Sequence, residues 1–290
     1  MVKEIENSVR NNLSKDKKME NLKRIITSLI GLPIVICVFI VGNKYIIDVI
    51  MAIVAIIGMN EYIKCVSNKS KVISWISYLI VASIAFIHLV PKEYIVLGLS
   101  AIVPVVLLIL FLHVIISNMK IGFENIAYTL IGILYIFGFT VFIPVIYGIE
   151  GEISGKILVW YIMFAAWGTD IFAFIIGRKF GKTKFSKVSP NKSVEGCVAG
   201  IIGAVVTSLI YTLAINYFGN FDISYLSIGI ISAILSIIGQ IGDFAASSIK
   251  RYFEVKDFSN LFPGHGGMLD RIDSVMFIAP FAYFLLTICL

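Results

Sequence analysis

The sequence predicts an all-α, polytopic integral membrane protein with about nine transmembrane helices. Of its 290 residues, 59% are apolar and 14% charged, against roughly 45–50% and 25% in soluble globular chains, and the mean hydropathy is +0.95. The apolar residues fall in unbroken runs close to the roughly 20 residues that a helix needs to cross about 30 Å of hydrocarbon. They do not show the alternation of a membrane β-barrel. A chain of this length built that way has no room for a large extramembrane domain.

Taken in order, residues 1–23 are a basic cytoplasmic leader, polar and poor in aromatics, read as disordered or interfacial. Apolar runs follow at 24–41, 45–62, 72–90, 94–116, 126–148, 156–177, 194–217, 223–246 and 272–290. The first is not followed by a small-residue cleavage site, which favours a retained anchor over a removed signal peptide. Residues 24–148 make an N-terminal set of membrane helices. Residues 149–290 carry the polar chemistry, with cytoplasmic loops at 178–193 and 247–271. All of the 24 lysines and arginines except Lys44, Lys92 and Lys156 lie on one side of this map. Cytoplasmic loops hold the basic excess, so the N-terminus lies inside and, after nine crossings, the C-terminus outside. For the leader and Lys64–Lys71, attraction to anionic lipid headgroups is explanation enough. Cys37, Cys65, Cys197 and Cys289 form no close pair and carry no redox or metal argument. His88 and His113 read as structural, and Gly196, Gly200 and Gly203 as sites of close helix packing.

Two polar regions exceed what topology requires. Trp167–Gly196 contains Asp170, inside a span and roughly 12 Å below its basic end at 1.5 Å per residue. An acid there costs several kcal/mol unless it is paired, hydrated or metal-bound, so it marks either a functional site or a structural ion pair. Ile241–Asp273 gathers Asp243, Lys250, Arg251, Lys256, Asp257, His265, Asp270, Arg271 and Asp273 in an otherwise apolar chain. Carboxylates suit hard cations such as Mg²⁺, and Lys and Arg suit phosphate oxygens. The region therefore suggests a metal-dependent phosphate site. Pro263–Gly267 before an apolar run can offer free N–H groups and a helix N-terminus to an anion, or be plain turn chemistry. Asp270 and Asp273 share a helical face, suited to joint metal binding or simply to the helix dipole. His265 could donate to phosphate or merely be solvated.

At this point Ser247–Asp273 resembles the signature of the phosphatidate cytidylyltransferases: Ser247, Lys250-Arg251, Lys256-Asp257, His265-Gly266-Gly267 and Asp270-Arg271-x-Asp273 in order and spacing. The segment from Asp170 to Gly196 is similar to the family's other polar block, with the Asp, Gly-Arg-Lys-Phe-Gly-Lys, Ser189-Pro190, Lys192 and Glu195-Gly196. It departs at Asn191-Lys192-Ser193-Val194, where the family usually has Lys-Lys-Thr-Trp. The aromatic is lost, and Ser193 stands in for the Thr hydroxyl. The resemblance implies transfer of CMP from CTP to phosphatidic acid, giving CDP-diacylglycerol and pyrophosphate, in a membrane-embedded enzyme. It implies Mg²⁺, with room for a second metal ion, held by acids that map onto Asp243 and Asp270, with Asp170 a further candidate. Lys250, Arg251, Lys256 and Arg271 become phosphate clamps, Asp257 and Asp273 orient them or bind metal water, and His265 joins the catalytic set. Arg178, Ser189, Lys192, Ser193, Ser247, Gly266 and Gly267 become substrate contacts.

The chemistry fits these residue types. A phosphate monoester is already ionised at neutral pH and needs no protein base; the difficulty is bringing two polyanions together, which cations solve. The expected partners are CTP, phosphatidic acid and membrane lipids, with no nucleic acid; a homodimer is compatible with the sequence, and the expected setting is the plasma membrane with the site facing the cytoplasm. Rival readings are an ion-coupled transporter, with Asp48 and Asp170 marking its pathway, or another transferase of CTP or CDP-lipids. The chain lacks internal repeats and the Asp-rich run of the CDP-alcohol phosphotransferases.

Overall fold

Polar residues that interrupt the apolar runs serve as helix caps. Asn43 accepts the N–H of Ile46 at 2.9 Å, Ser154 that of Lys156 at 3.3 Å, Ser193 that of Gly196 at 3.2 Å and Ser224 that of Ser227 at 3.4 Å. Each oxygen satisfies a donor that a first helical turn leaves unpaired. In the computed structural model, residues 27, 29–118, 121–186, 188–190 and 192–289 are described. The leader 1–23 with its basic residues, Arg24, Lys120, Lys187 and Asn191 lie outside the described residues.

The helices are α1 (Leu29–Val41), α2 (Lys44–Val66), α3 (Ser74–Ala82, continued as a 3₁₀ segment Ser83–Leu89), α4 (Lys92–Ile116), α5 (Phe123–Thr140), α6 (Phe142–Tyr147), α7 (Gly155–Phe180), α8 (Val194–Gly219), α9 (Tyr225–Tyr252) and α10 (Leu269–Cys289). Among the described residues the structure is helical, with only two isolated β-bridges, Lys184 with Ser193 and Phe262 with Gly266. Among the described residues seven helical stretches are long and apolar enough to cross a membrane, α5 and α6 counting as one. The first and third apolar runs instead correspond to the shorter apolar helices Leu29–Val41 and Ser74–Leu89. The outer surface is what a bilayer requires: Phe218, Leu226 and Ile288 are three-quarters or more exposed, a hazard in water and ordinary in lipid.

Helix ends differ from the ends of the apolar runs where it matters for the site. α7 reaches Phe180 and α9 reaches Tyr252, so Arg178, Ser247, Lys250 and Arg251 sit on helices and the true loops are 181–193 and 253–268. Backbone hydrogen bonding continues past the last apolar residue, because a helix can leave the membrane without unwinding.

α7 and α8 approach most closely. A Cβ at Gly196 would lie 3.0 Å from the Ala173 carbonyl oxygen, one at Gly200 3.1 Å from that of Thr169, and one at Gly203 2.6 Å from that of Gly168. These glycines do pack helix on helix, as small residues do in membranes. The pair thereby fixes α7, which carries Asp170. Against α10, Phe139 of α5 stacks on Phe277 with ring centroids 4.3 Å apart. Asp48, fully buried near the start of α2, accepts from His88 Nδ1 at 2.6 Å and from the His88 backbone N–H at 3.2 Å. His113 meets Trp75 edge-on at 6.0 Å. Both histidines are thus built into the packing, and both carboxylate oxygens of Asp48 are hydrogen-bonded within the fold.

Candidate active site

The α9–α10 loop begins from its turn chemistry. Pro263 and Gly264 are the central pair of a turn closed by the His265 N–H donating to Phe262 O at 2.8 Å, and Gly264 has φ 78°. Proline followed by a positive-φ glycine is the type II pattern. The Phe262 N–H then donates to Gly266 O at 2.9 Å, and Gly266 itself has φ 83°. A Cβ on Gly266 would lie 2.9 Å from Asp270 Oδ2, and one on Gly267 would lie 2.7 Å from both carboxylate oxygens of Glu61. Glycine is required at both because a carboxylate closes directly onto the backbone.

Those two carboxylates take the N–H groups that the sequence offered to a phosphate. Asp270 Oδ2 accepts from Gly267 N and Phe258 N, each at 2.9 Å. Glu61 Oε1 accepts from Met268 N at 2.8 Å and Ser259 Oγ at 2.6 Å, while Oε2 accepts from Leu269 N at 2.8 Å. The anion at the N-terminus of α10 is therefore part of the protein.

Two lysine–aspartate pairs flank this turn. Lys250 Nζ donates to Asp270 Oδ1 at 2.6 Å, with side chains only 12% and 4% exposed, and its ammonium lies 5.5 Å from the Phe258 ring. Lys192 Nζ donates to Asp243 Oδ2, with side chains 28% and 27% exposed, and lies 4.5 Å from the Phe244 ring. Lys192 is delivered by a narrow bridged loop: Phe185 N donates to Lys192 O at 3.1 Å, Val194 N to Thr183 O at 3.0 Å, and Lys192 N to Ser189 O at 3.1 Å. Around the pairs, Asp170 interacts electrostatically with Asp243, Lys192 and Arg271, and Asp273 with Asp243, Lys250 and Asp170. Tyr135 of α5 interacts electrostatically with Asp273, Asp270 and Asp243, and its buried hydroxyl makes no hydrogen bond. Asp273 is buried, whereas Asp170 remains accessible on α7.

The structure thus gathers Asp170, Asp243, Lys250, Asp270, Arg271 and Asp273 around the C-terminal halves of α7 and α9 and the start of α10, with Lys192 brought in by the α7–α8 loop. The other sequence-derived candidates stand around it. Arg251, Lys256 and Asp257 are exposed, and Arg251 Nη1 donates to Val255 O at 3.2 Å. Arg178 is exposed beside the Phe174 ring. Ser193 is buried as the cap of α8, which accounts locally for a hydroxyl residue there. Ser189 and Ser247 are half-buried, the former using its carbonyl to close the loop. His265 Nδ1 lies 2.9 Å from Thr27 Oγ1, so the turn meets the chain just before α1.

Sequence reasoning missed Glu61, Tyr135 and Thr27. Glu61 had one available signal, an acid inside an apolar run; Tyr135 and Thr27 had none.

The cytidylyltransferase family model matches residues 22–289. The chain belongs to that family. Its similarity to a phosphatidate cytidylyltransferase of Staphylococcus aureus (strain COL) is 31% identity over 93% of this chain and 98% of that protein. It is 42% identical to one of Bacillus subtilis (strain 168) over 46% of this chain and 49% of the relative. With one of Staphylococcus saprophyticus it shares 39% over 61% and 65% respectively. The last two alignments span about half and just under two thirds of those relatives.

For this family member, the fit of a metal rests on donor chemistry. Among the described residues no group of three or more His, Cys, Asp or Glu is placed to hold a metal ion unaided. Mg²⁺ seldom uses such a cage; one or two carboxylates, water and substrate phosphates suffice. Asp243 and Asp270, with Asp273 and Asp170 nearby and only oxygen donors among them, fit that requirement.

Proposed function

We propose that the protein is a phosphatidate cytidylyltransferase, transferring CMP from CTP to phosphatidate with release of pyrophosphate and formation of CDP-diacylglycerol. The observation that carries this reading is the pair of lysine–aspartate contacts, Lys192–Asp243 and Lys250–Asp270, set in one cluster with Asp170, Asp273 and Arg271. The names of the relatives support the same reaction.

Each lysine donates to a carboxylate. A phosphate oxygen is a competing acceptor of the same kind, so CTP and phosphatidate draw Lys192, Lys250 and Arg271 onto their phosphates and release Asp243 and Asp270. Mg²⁺ held by those two acids would then supply charge neutralisation and alignment at the α-phosphate. Arg251, exposed at the cytoplasmic end of α9, and Lys256, exposed in the loop that follows, meet the outlying phosphates. The Asp270 N–H contacts keep its carboxylate fixed while its ammonium partner moves, so little reorganisation accompanies the exchange.

In this reading α1 and α3 with its 3₁₀ extension cross together with the seven longer stretches, giving nine crossings with the N-terminus in the cytoplasm. The basic asymmetry supports that sidedness. Asp48 and Glu61 stand about 20 Å apart along α2 at 1.5 Å per residue. The site therefore belongs to one face of a cell membrane, and the Asp48–His88 pair to the other. This arrangement suits an interfacial enzyme rather than a conduit.

The test is purified protein with CTP labelled at the α-phosphate, phosphatidate and Mg²⁺. Label is expected in CDP-diacylglycerol, with pyrophosphate released in equal amount. Binding of CTP with no labelled lipid would overturn the reading.

A further inference from the structure

Glu61 lies some two hundred positions from its partners in the α9–α10 loop, yet it is deeply engaged in that loop. It is 3% exposed and accepts three hydrogen bonds of 2.6–2.8 Å, from Ser259, Met268 and Leu269. Gly267 has no room for a Cβ because the Glu61 carboxylate lies there. One turn earlier on α2, Gly58 receives Leu269: a Cβ at Gly58 would lie 2.9 Å from Leu269 Cδ2. The turn that follows α2 also reaches the loop's other margin, where Asn68 Nδ2 donates to Phe253 O at 3.5 Å and the Lys69 ammonium lies 4.1 Å from the Tyr252 ring.

We infer that Glu61 is a positioning residue for the reaction: its carboxylate fills the anion site at the N-terminus of α10 and locks the peptide run that fixes Asp270. The N–H of Gly267 goes to Asp270 and the next two, of Met268 and Leu269, go to Glu61. A shift of that run moves both acids' donors together. A carboxylate is favoured there by the helix dipole and by the unpaired first-turn donors. With this site filled from within, the phosphates of CTP are met by Lys and Arg side chains rather than by the helix terminus. The catalytic half of this inference rests on the proposed reaction; the structural half does not.

The test compares Glu61→Ala, Glu61→Gln and Ser259→Ala with the wild type in detergent, by amide hydrogen exchange over 258–269 and by steady-state kinetics. Glu61→Ala is expected to speed exchange across this loop and lower kcat by at least about tenfold while KM for CTP changes by less than about threefold, because the loss falls on transition-state geometry rather than on binding. Glu61→Gln, which keeps an acceptor for Met268 and Ser259, is expected to recover part of both. Should Glu61→Ala aggregate, Ser259→Ala carries the test: faster exchange and a kcat lowered about two- to fivefold support the role. Wild-type exchange in Glu61→Ala, or in Ser259→Ala where that variant carries the test, overturns it, as does a loosened loop with unchanged kcat. Wild-type protein that makes no CDP-diacylglycerol would refute the proposed reaction instead, and the exchange data would still decide whether Glu61 holds the loop.

Discussion

The family resemblance gives Asp243 and Asp270 the same role, but their surroundings make them physically different residues. Asp270 is buried and answers three donors, Lys250 Nζ, Phe258 N and Gly267 N. Removing it strands a buried ammonium and two backbone N–H groups, which costs about 3–5 kcal/mol. Asp243 shares a pair whose side chains are more than a quarter exposed, and losing such a pair costs at most about 1 kcal/mol. Asp270→Ala is therefore expected to lower the thermal midpoint in detergent well below that of Asp243→Ala, although both lose turnover. Equal midpoints would contradict the hydrogen bonding described for Asp270. The acids and lysines were legible in the sequence because ionisable groups in an apolar chain stand out. Glu61 stands out in the same way as an acid in an apolar run, but its role was not legible, because its partners, the Ser259 hydroxyl and the Met268 and Leu269 N–H groups, lie some two hundred positions away.

Among the elements, α7 and α8 act as one unit. The Gly168, Gly200 and Gly203 contacts bring the backbones together and set where Asp170 faces. Gly203→Leu forces a side chain against Phe172 and the Gly168 carbonyl, and overpacking of this kind costs about 1–3 kcal/mol. The variant is expected to unfold at lower temperature and to lose activity, whereas Gly138→Ala, whose Cβ would meet nothing within 4 Å, should do neither. Unaltered stability in Gly203→Leu would remove the close α7–α8 contact. The presence of these helices could be read from hydropathy, and the glycines from their spacing. Their ends could not: α9 stays helical through Ser247–Tyr252 because backbone bonding is indifferent to whether side chains are apolar. The same limit explains why the Pro-Gly-His-Gly-Gly run read equally well as a phosphate loop or a turn. Which anion occupies a helix terminus is a tertiary fact.

At the scale of the whole molecule, the apolar helices and their exposed apolar surface are those of a membrane protein, and the proposed nine-crossing arrangement puts the chemistry at its cytoplasmic face. In a cysteine-free background, Lys182→Cys on the α7–α8 loop is expected to react with a membrane-impermeant maleimide from the cytoplasmic side only. Glu152→Cys, exposed before α7, should react from the opposite side only. Labelling of both from one side would contradict the nine-crossing arrangement. The central claim is that carboxylates freed from lysine partners serve a divalent ion in cytidylyl transfer. It is tested most directly by measuring CDP-diacylglycerol formation across a Mg²⁺ titration after chelation with EDTA, for wild type and Asp243→Ala side by side. Wild type should fall silent with EDTA and recover with Mg²⁺, while Asp243→Ala stays silent throughout; turnover indifferent to chelation, or near-normal turnover by the variant, would contradict the claim.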